Sequence, residues 1–231
     1  RVLDGYVVFR GWVNSVANIW RYDIDNDTML PLTSYTGSSL SPTRPAIYGD
    51  RVFFFFAEVS GSWTYSIRSV PLDGGSVTDW TSGRLSGSVS DFALANGALL
   101  VTHGSSSSRT FSVIDLETTS VDDVTSDVAG SGYAYNLAGS GTVVAMRRGS
   151  SLVLYDVATG ESEVAVASSD TVYVSEVMST AAGFAYITYN SGSNRGYELS
   201  HYDLAASETT VIASERGNSS GYMSFDDSSS I

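Results

Sequence analysis

The sequence predicts an all-β chain assembled from five copies of one short-stranded unit, and three observations carry that expectation. A third-strand signature recurs as Tyr22-Asp23-Ile24, Val70-Pro71-Leu72, Ile114-Asp115-Leu116, Tyr155-Asp156-Val157 and Tyr202-Asp203-Leu204, at intervals of 41 to 48 residues. A turn followed by a β-rich run recurs in step with it: Gly5 before YVVF, Asp50 before RVFFFF, Gly97 before ALLV, Gly141 before TVVAM and Gly183 before FAYITY. No window of helical length places apolar residues at a 3.6-residue period, so no helix is expected.

A period near 45 with four short strands per unit is that of a β-propeller blade, a unit that cannot bury its own faces and must stack on copies of itself. In chain order, each β-rich run is the second strand of a blade and each signature lies in the third. Inner strands are expected at Arg44 to Tyr48, Val89 to Ala95, Tyr133 to Ala138 and Tyr173 to Ser179, where small residues suit a narrow centre. The inner strand missing from the first blade appears at the other end, in Gly221-YMSFDDSSSI. Five four-stranded blades in a single domain follow, with the first blade closed by N- and C-terminal strands so that no edge stays open. The competing reading is five consecutive blades cut from a longer chain, since the first residue is Arg and the segment reads as mature or excised. Connections are expected at Thr36 to Ser41, Gly104 to Ser108, Gly130 to Gly132, Ser191 to Ser193 and Asn218 to Gly221. Pro31, Pro42 and Pro45 are expected in connections as well.

Composition bounds the function. All twelve basic residues are Arg against 25 acidic ones, giving a net charge of -13, which argues against nucleic acid because phosphate demands basic neutralisation. The missing Lys is ascribed to codon usage. With no cysteine there is no disulfide, thiolate ligand or thiol nucleophile. The most apolar run, Val52 to Ala57, is strand-sized, so no membrane span is expected.

The strings WRYDIDNDT, FSVIDLETT, LYDVATGES and SHYDLAASE, with VPLDGGSVT as a divergent copy, resemble the blades of the β-propeller superfamily, within it the TolB-like or WD40-like repeats. The Trp-Asp and Gly-His signatures of WD40 blades are missing. The resemblance implies architecture and leaves activity open, because the same blades host hydrolases, lectins, gating domains and scaffolds.

Candidate residues sort by the end of the blade on which they fall. The loops joining second to third strands, and those joining blades, collect Arg10, Arg44, Arg84, Arg109, Arg147, Arg148, Arg195 and Arg216 together with Trp12 and Trp63. The opposite turns collect Asp25, Asp27, Asp50, Glu117, Asp122, Asp123, Asp226 and Asp227. Arg44, Arg84, Arg147, Arg148, Arg195, Trp12 and Trp63 are therefore the candidate ligand-binding set, with guanidinium forks and aromatic rings as the contact chemistry. The competing role for the arginines is to cover apolar blade edges.

For an enzyme, the resemblance to five-bladed arabinanase- and sucrase-like glycosidases implies acids around a central channel. Asp91 and Glu176 are the candidates, as general acid and base or nucleophile. A third acid is lacking, Tyr48 and Asn136 standing nearest. His103 and His201 fall at variable strand positions and read as strand packing, and no G-x-S-x-G elbow accompanies them. Asp23, Asp25 and Asp27 alternate as in a calcium loop, yet Thr28 stands where Gly is needed and Ser34 where a closing Glu is needed. A plain Asp/Asn turn is expected there and no metal. Asn26-Asp-Thr28 and Asn218-Ser-Ser220 match the glycosylation acceptor pattern.

The expectation is thus a non-enzymatic, extracellular, periplasmic or cell-surface propeller that recognises a protein partner or surface glycan, or assembles within a larger protein or filament, without a cofactor. The alternative is a carbohydrate-active or carbohydrate-binding propeller. A gating domain for a hydrolase outside this segment is the third reading.

Overall fold

The computed structural model describes residues 2–3, 5–37, 40–59, 62–105, 108–128, 134–193 and 195–216. Every regular element among them is a strand, and they gather into two compact units divided between Val89 and Ser90. The first unit holds two four-stranded sheets. One is β1 (Val2–Leu3), β2 (Tyr6–Val13), β3 (Val16–Asp23) and β4 (Thr28–Pro31). The other is β5 (Leu40–Tyr48), β6 (Arg51–Val59), β7 (Trp63–Pro71) and β8 (Thr78–Asp79). The second unit holds three: β9 (Val89–Ala95), β10 (Ala98–Ser105), β11 (Ser108–Asp115) and β12 (Val121–Asp123); β13 (Ala134–Ser140), β14 (Val143–Arg148), β15 (Ser151–Asp156) and β16 (Ser162–Val166); and β17 (Val172–Ser179), β18 (Gly183–Asn190), β19 (Gly196–Asp203) and β20 (Glu208–Arg216). Strands pair in chain order within each sheet, so the five expected four-stranded blades are present.

The repeat signature has a physical cause. Its Asp ends the third strand and accepts amide hydrogens from the turn that follows. Asp115 Oδ1 takes those of Glu117 and Thr118, Asp156 Oδ1 those of Ala158 and Thr159, and Asp203 Oδ1 those of Ala205 and Ala206. Asp23 does the same for Asn26, whose side-chain amide also donates to Asp23 Oδ2. This is the Asx-turn preference of aspartate written once per blade. In the second blade Pro71 replaces it, and the turn closes through Gly74 N–H to Pro71 O, with Gly74 and Gly75 at φ +85° and +124°.

A second repeated device was not read from the sequence. Past the fourth strand, Thr33, Thr81 and Thr125 each present a hydroxyl that accepts the amide of a mid-third-strand residue, Ile19, Ile67 and Phe111 respectively, each at 2.9 Å. The residue before each threonine pairs backbone-to-backbone with that same position. The fourth strand is short, and this clip extends its hold on the third.

Cores lie between blades. In the first unit Val8, Ile19 and Leu32 pack on Val52, Phe54, Phe56 and Val70. In the second, Ala93, Leu100 and Phe111 meet Leu137, Val144, Met146 and Val153, and the other face of that middle blade packs on Val174, Phe184, Tyr186 and Tyr202. Gly139 permits the closest approach, since a Cβ there would lie 1.9 Å from the Leu94 carbonyl oxygen.

Several boundaries differ from expectation. β5 begins at Leu40, ahead of the expected Arg44, because Leu40 to Thr43 pair with Phe55 to Glu58 before the register slips. Pro42 and Pro45 therefore lie inside an inner strand beside a bulge, where a missing amide donor is tolerated. The expected connection over Gly104 to Ser108 is a tight hairpin, with Ser105 paired to Ser108. The inner position of the first sheet is held by the two residues of β1. The expected closing strand, Gly221 to Ile231, lies outside the described residues, as do the connections placed at Gly130 to Gly132 and Asn218 to Gly221.

Candidate functional site

In the first, second, fourth and fifth blades the end that carries the second-to-third hairpin gathers aromatic side chains, joined by a guanidinium in the first and fourth. In the first blade Asn14 and Ser15, at φ +50° and +65°, make the two-residue turn that joins β2 to β3. This turn holds Trp12 out at the strand end, 61% exposed. The Arg10 guanidinium lies 4.3 Å from the Trp12 ring centroid and donates to Ser41 Oγ at 3.0 Å, while its Nε is buried with no acceptor. Burial lowers the pKa of Arg10 from its ordinary value.

The corresponding end of the second blade carries a ring ladder along β6 and β7. Phe55 meets Tyr65 at 5.3 Å, and Tyr65 meets Trp63 at 6.2 Å with the two planes 10° apart. Trp63 is its open end, 56% exposed, beside an exposed Val59. In the fifth blade three tyrosines form one row across β17, β18 and β19. Tyr173 stands opposite Tyr189 and Tyr189 opposite Tyr197, at 5.2 and 4.8 Å. In the fourth, Arg147 lies 4.5 Å over Tyr135. The tyrosines were missed at the sequence level because cross-strand register, not spacing along the chain, brings them together.

The candidate arginines divide. Arg147 donates to Gly149 O and Ser175 O, and Arg148 donates to Val128 O while facing Phe111. Both therefore tie chain segments together. Arg84 is exposed near Trp80, Arg195 is exposed in the β18–β19 turn, and Arg44 is exposed at φ +52° within the β5 bulge, away from any hairpin. Arg109 is half-buried in β11, and the Arg216 side chain lies outside the described residues, as do Asp226 and Asp227.

Asp91 is 3% exposed, and both its oxygens accept backbone amides: Oδ1 that of Phe92 and Oδ2 that of Leu137 in the next blade. Asn136, beside Leu137 and at φ +56°, passes the pattern on by donating its side-chain amide to Ser175 O in the blade after. Asp91, Asn136 and Ser175 each stand four residues before the end of their inner strands. They form a clasp repeated from blade to blade within the second unit. Glu176 follows Ser175 at the β17 register slip and is half-buried.

The histidines are held by hydroxyls. His103 and Ser112 are both buried and share a 2.9 Å hydrogen bond, and His201 pairs with Thr180 at 2.9 Å. Asp25 and Asp27 do not converge with Asp23, whose oxygens serve Asn26, and the Asp27 carboxylate accepts the Tyr22 hydroxyl. Among the described residues no three His, Asp or Glu side chains come together as a metal site would require. Asn26 is exposed in its turn, and Asn218 lies outside the described residues.

No protein-family model matches the sequence, and no curated protein matches it. Solved structures do match. The chain is similar to an oligogalacturonate lyase in complex with manganese, with TM-score 0.64 and 11% identity over 91% of this chain and 62% of that one. It is similar to TolB from Acinetobacter baumannii, with TM-score 0.60 and 16% identity over 90% of this chain and 52% of that one. A nidogen/laminin complex matches with TM-score 0.58 and 14% identity over 92% of this chain and 76% of that one. The chain thus spans about half of the TolB chain and 62% of the lyase chain. At such identities the likeness speaks for architecture, and with the five sheets it makes the chain a β-propeller of five four-stranded blades.

Proposed function

We propose that the chain acts as one non-enzymatic domain that recognises a protein partner or a surface glycan outside the cytoplasm, through the aromatic and arginine side chains at its second-to-third hairpins. The observation that carries this reading is the open Trp12 and Trp63, each presented at a hairpin end with a stacked neighbour behind it. Exposed tryptophan beside guanidinium is the composition of binding hot spots. A related fold occurs in a nidogen/laminin complex, where one protein holds another. No helix among the described residues is long and apolar enough to cross a membrane. The carbohydrate-active reading is weaker, because Asp91 spends both oxygens on backbone amides.

The test is binding of the labelled chain to arrays of polysaccharides and of extracellular and envelope proteins, repeated with Trp12→Ala/Trp63→Ala. The expected result is a hit that weakens by about tenfold or more in the double variant. A hit indifferent to both substitutions would overturn the assignment. So would polysaccharide cleavage that disappears on Glu176→Gln, because turnover there makes the chain an enzyme.

A further inference from the structure

In the fifth blade the strand register carries one row through all four strands. Tyr173 of β17 stands opposite Tyr189 of β18, Tyr189 opposite Tyr197 of β19, and Tyr197 opposite Glu215 of β20. Direct cross-strand partners share a face, so three tyrosines and a carboxylate lie side by side. Their face is turned away from the fourth blade, because the β18 residues that pack there are Phe184 and Tyr186, of the other parity. The register puts Glu176 on the same face, opposite Ile187 and hence one step along β18 from Tyr189. The tyrosines are half-buried, and Glu215 is exposed.

The geometry and charge of the row say what it fits. Successive rings are tilted by 57° and 46°, which offers no flat platform for a sugar ring. Their centroids are 5.2 and 4.8 Å apart, so a cation held against one ring is within reach of the next. Two carboxylates share the face, and the chain carries a net charge of -13. Elsewhere in the molecule the same combination of ring and carboxylate holds a guanidinium. Arg21 lies 4.6 Å from the Tyr6 ring centroid and 2.8 Å from Asp73 Oδ1. Arg68 lies 3.7 Å from the Phe56 ring centroid and 3.1 Å from Asp79 Oδ2.

We propose that Tyr173, Tyr189, Tyr197 and Glu215 form a docking row for an arginine side chain presented by an extended segment of a partner protein. The guanidinium lies against the rings and pairs with the carboxylate. Arginine suits this row better than lysine, because its planar cation stacks on a ring while its N–H groups reach a carboxylate. The row belongs to the fifth blade alone and shares no residue with the Trp12 and Trp63 surface, so the two readings fail separately.

NMR titration of the chain at about 0.15 M salt tests it, using the capped peptide Gly-Ser-Arg-Ser-Gly and its counterparts with lysine or glutamine in the centre. The arginine peptide is expected to shift the ring signals of the three tyrosines, the lysine peptide to bind more weakly and the glutamine peptide not to bind. Tyr197→Ala and Glu215→Gln are each expected to weaken the arginine peptide by about threefold or more, and Tyr197→Phe to retain it. Circular dichroism establishes that each variant is folded, and Glu215→Gln, at an exposed position, serves where Tyr197→Ala does not fold. The proposal is overturned by unshifted tyrosine rings, by a lysine or glutamine peptide that binds as well as the arginine one, or by folded variants that bind as before.

Discussion

The acid-bearing positions and the aromatic hairpin ends are built to opposite rules. Asp91, Asp115, Asp156 and Asp203 are engaged by their own chain, each carboxylate accepting two backbone amides. Trp12 and Trp63 are stacked on one neighbour each and otherwise left open. A carboxylate that accepts two amides of its own chain is committed to holding backbone in place, whereas an exposed indole held at a hairpin has a free face. The difference separates what builds the repeat from what varies between its copies. The signature aspartates recur in four of the five blades because those blades close their third strands with the same turn, and the aromatics do not recur because each hairpin end is independent of that need.

The comparison breaks most easily at Asp91. Asp91→Ala removes the acceptors of two amides, one of them linking β9 to β13. An orphaned buried amide costs about 1–3 kcal/mol, so urea denaturation is expected to show a loss of about 3 kcal/mol. Glu176→Ala, at a half-buried position, is expected to cost less than about 1 kcal/mol. Equal losses in the two variants would mean that Asp91 is not a clasp.

Acid titration sharpens the same contrast. The Asp115 pKa lies below the usual carboxylate range because the Thr118 amide and hydroxyl and the Glu117 amide donate to it, and Asp23 is lowered chiefly by the Asn26 side chain. The Thr125 hydroxyl and amide do the same for Asp123. For Asp156 burial acts upward, and the bonds from Thr142, Thr159 and Ala158 outweigh it. A depressed folded pKa stabilises the fold above the unfolded value and loses that contribution as pH falls through the folded one. The melting temperature is therefore expected to hold from neutrality to about pH 5 and to fall through about pH 4 and below. In Asp115→Asn/Asp156→Asn the fall is expected to be shallower, and an unchanged slope would remove these turns as its cause.

What the sequence made legible follows the same division. The signature Tyr-Asp-Ile or its variant marked every third strand because a turn chemistry acting over two or three residues leaves a local trace. The clips from Thr33, Thr81 and Thr125 join residues 14 positions apart, and nothing in a threonine's immediate neighbours announces such a reach. Asp91 was read as a channel acid because its inner-strand position was legible while its partner, the Leu137 amide 46 residues on, was not. Trp12 and Trp63 were found from residue type and turn proximity. The row of Tyr173, Tyr189 and Tyr197 needed the register of three strands, which a period near 45 does not supply.

The smallest expected effect separates the two aromatic groups from each other. Tyr189 is the middle member of its row, touching rings on both sides, and follows the buried Thr188 in its strand. Trp63 touches one ring and ends its ladder in solvent. An aromatic pair contributes about 0.5–1.5 kcal/mol beyond area burial, so Tyr189→Ala is expected to cost roughly twice that of one pair. Trp63→Ala, losing one loosely spaced stack at 6.2 Å, is expected to cost about 0.5 kcal/mol or less. Paired thermal melts read the difference directly. If Trp63→Ala proves as costly as Tyr189→Ala, the indole is holding the second blade together, and its exposure no longer marks a surface kept open for a partner.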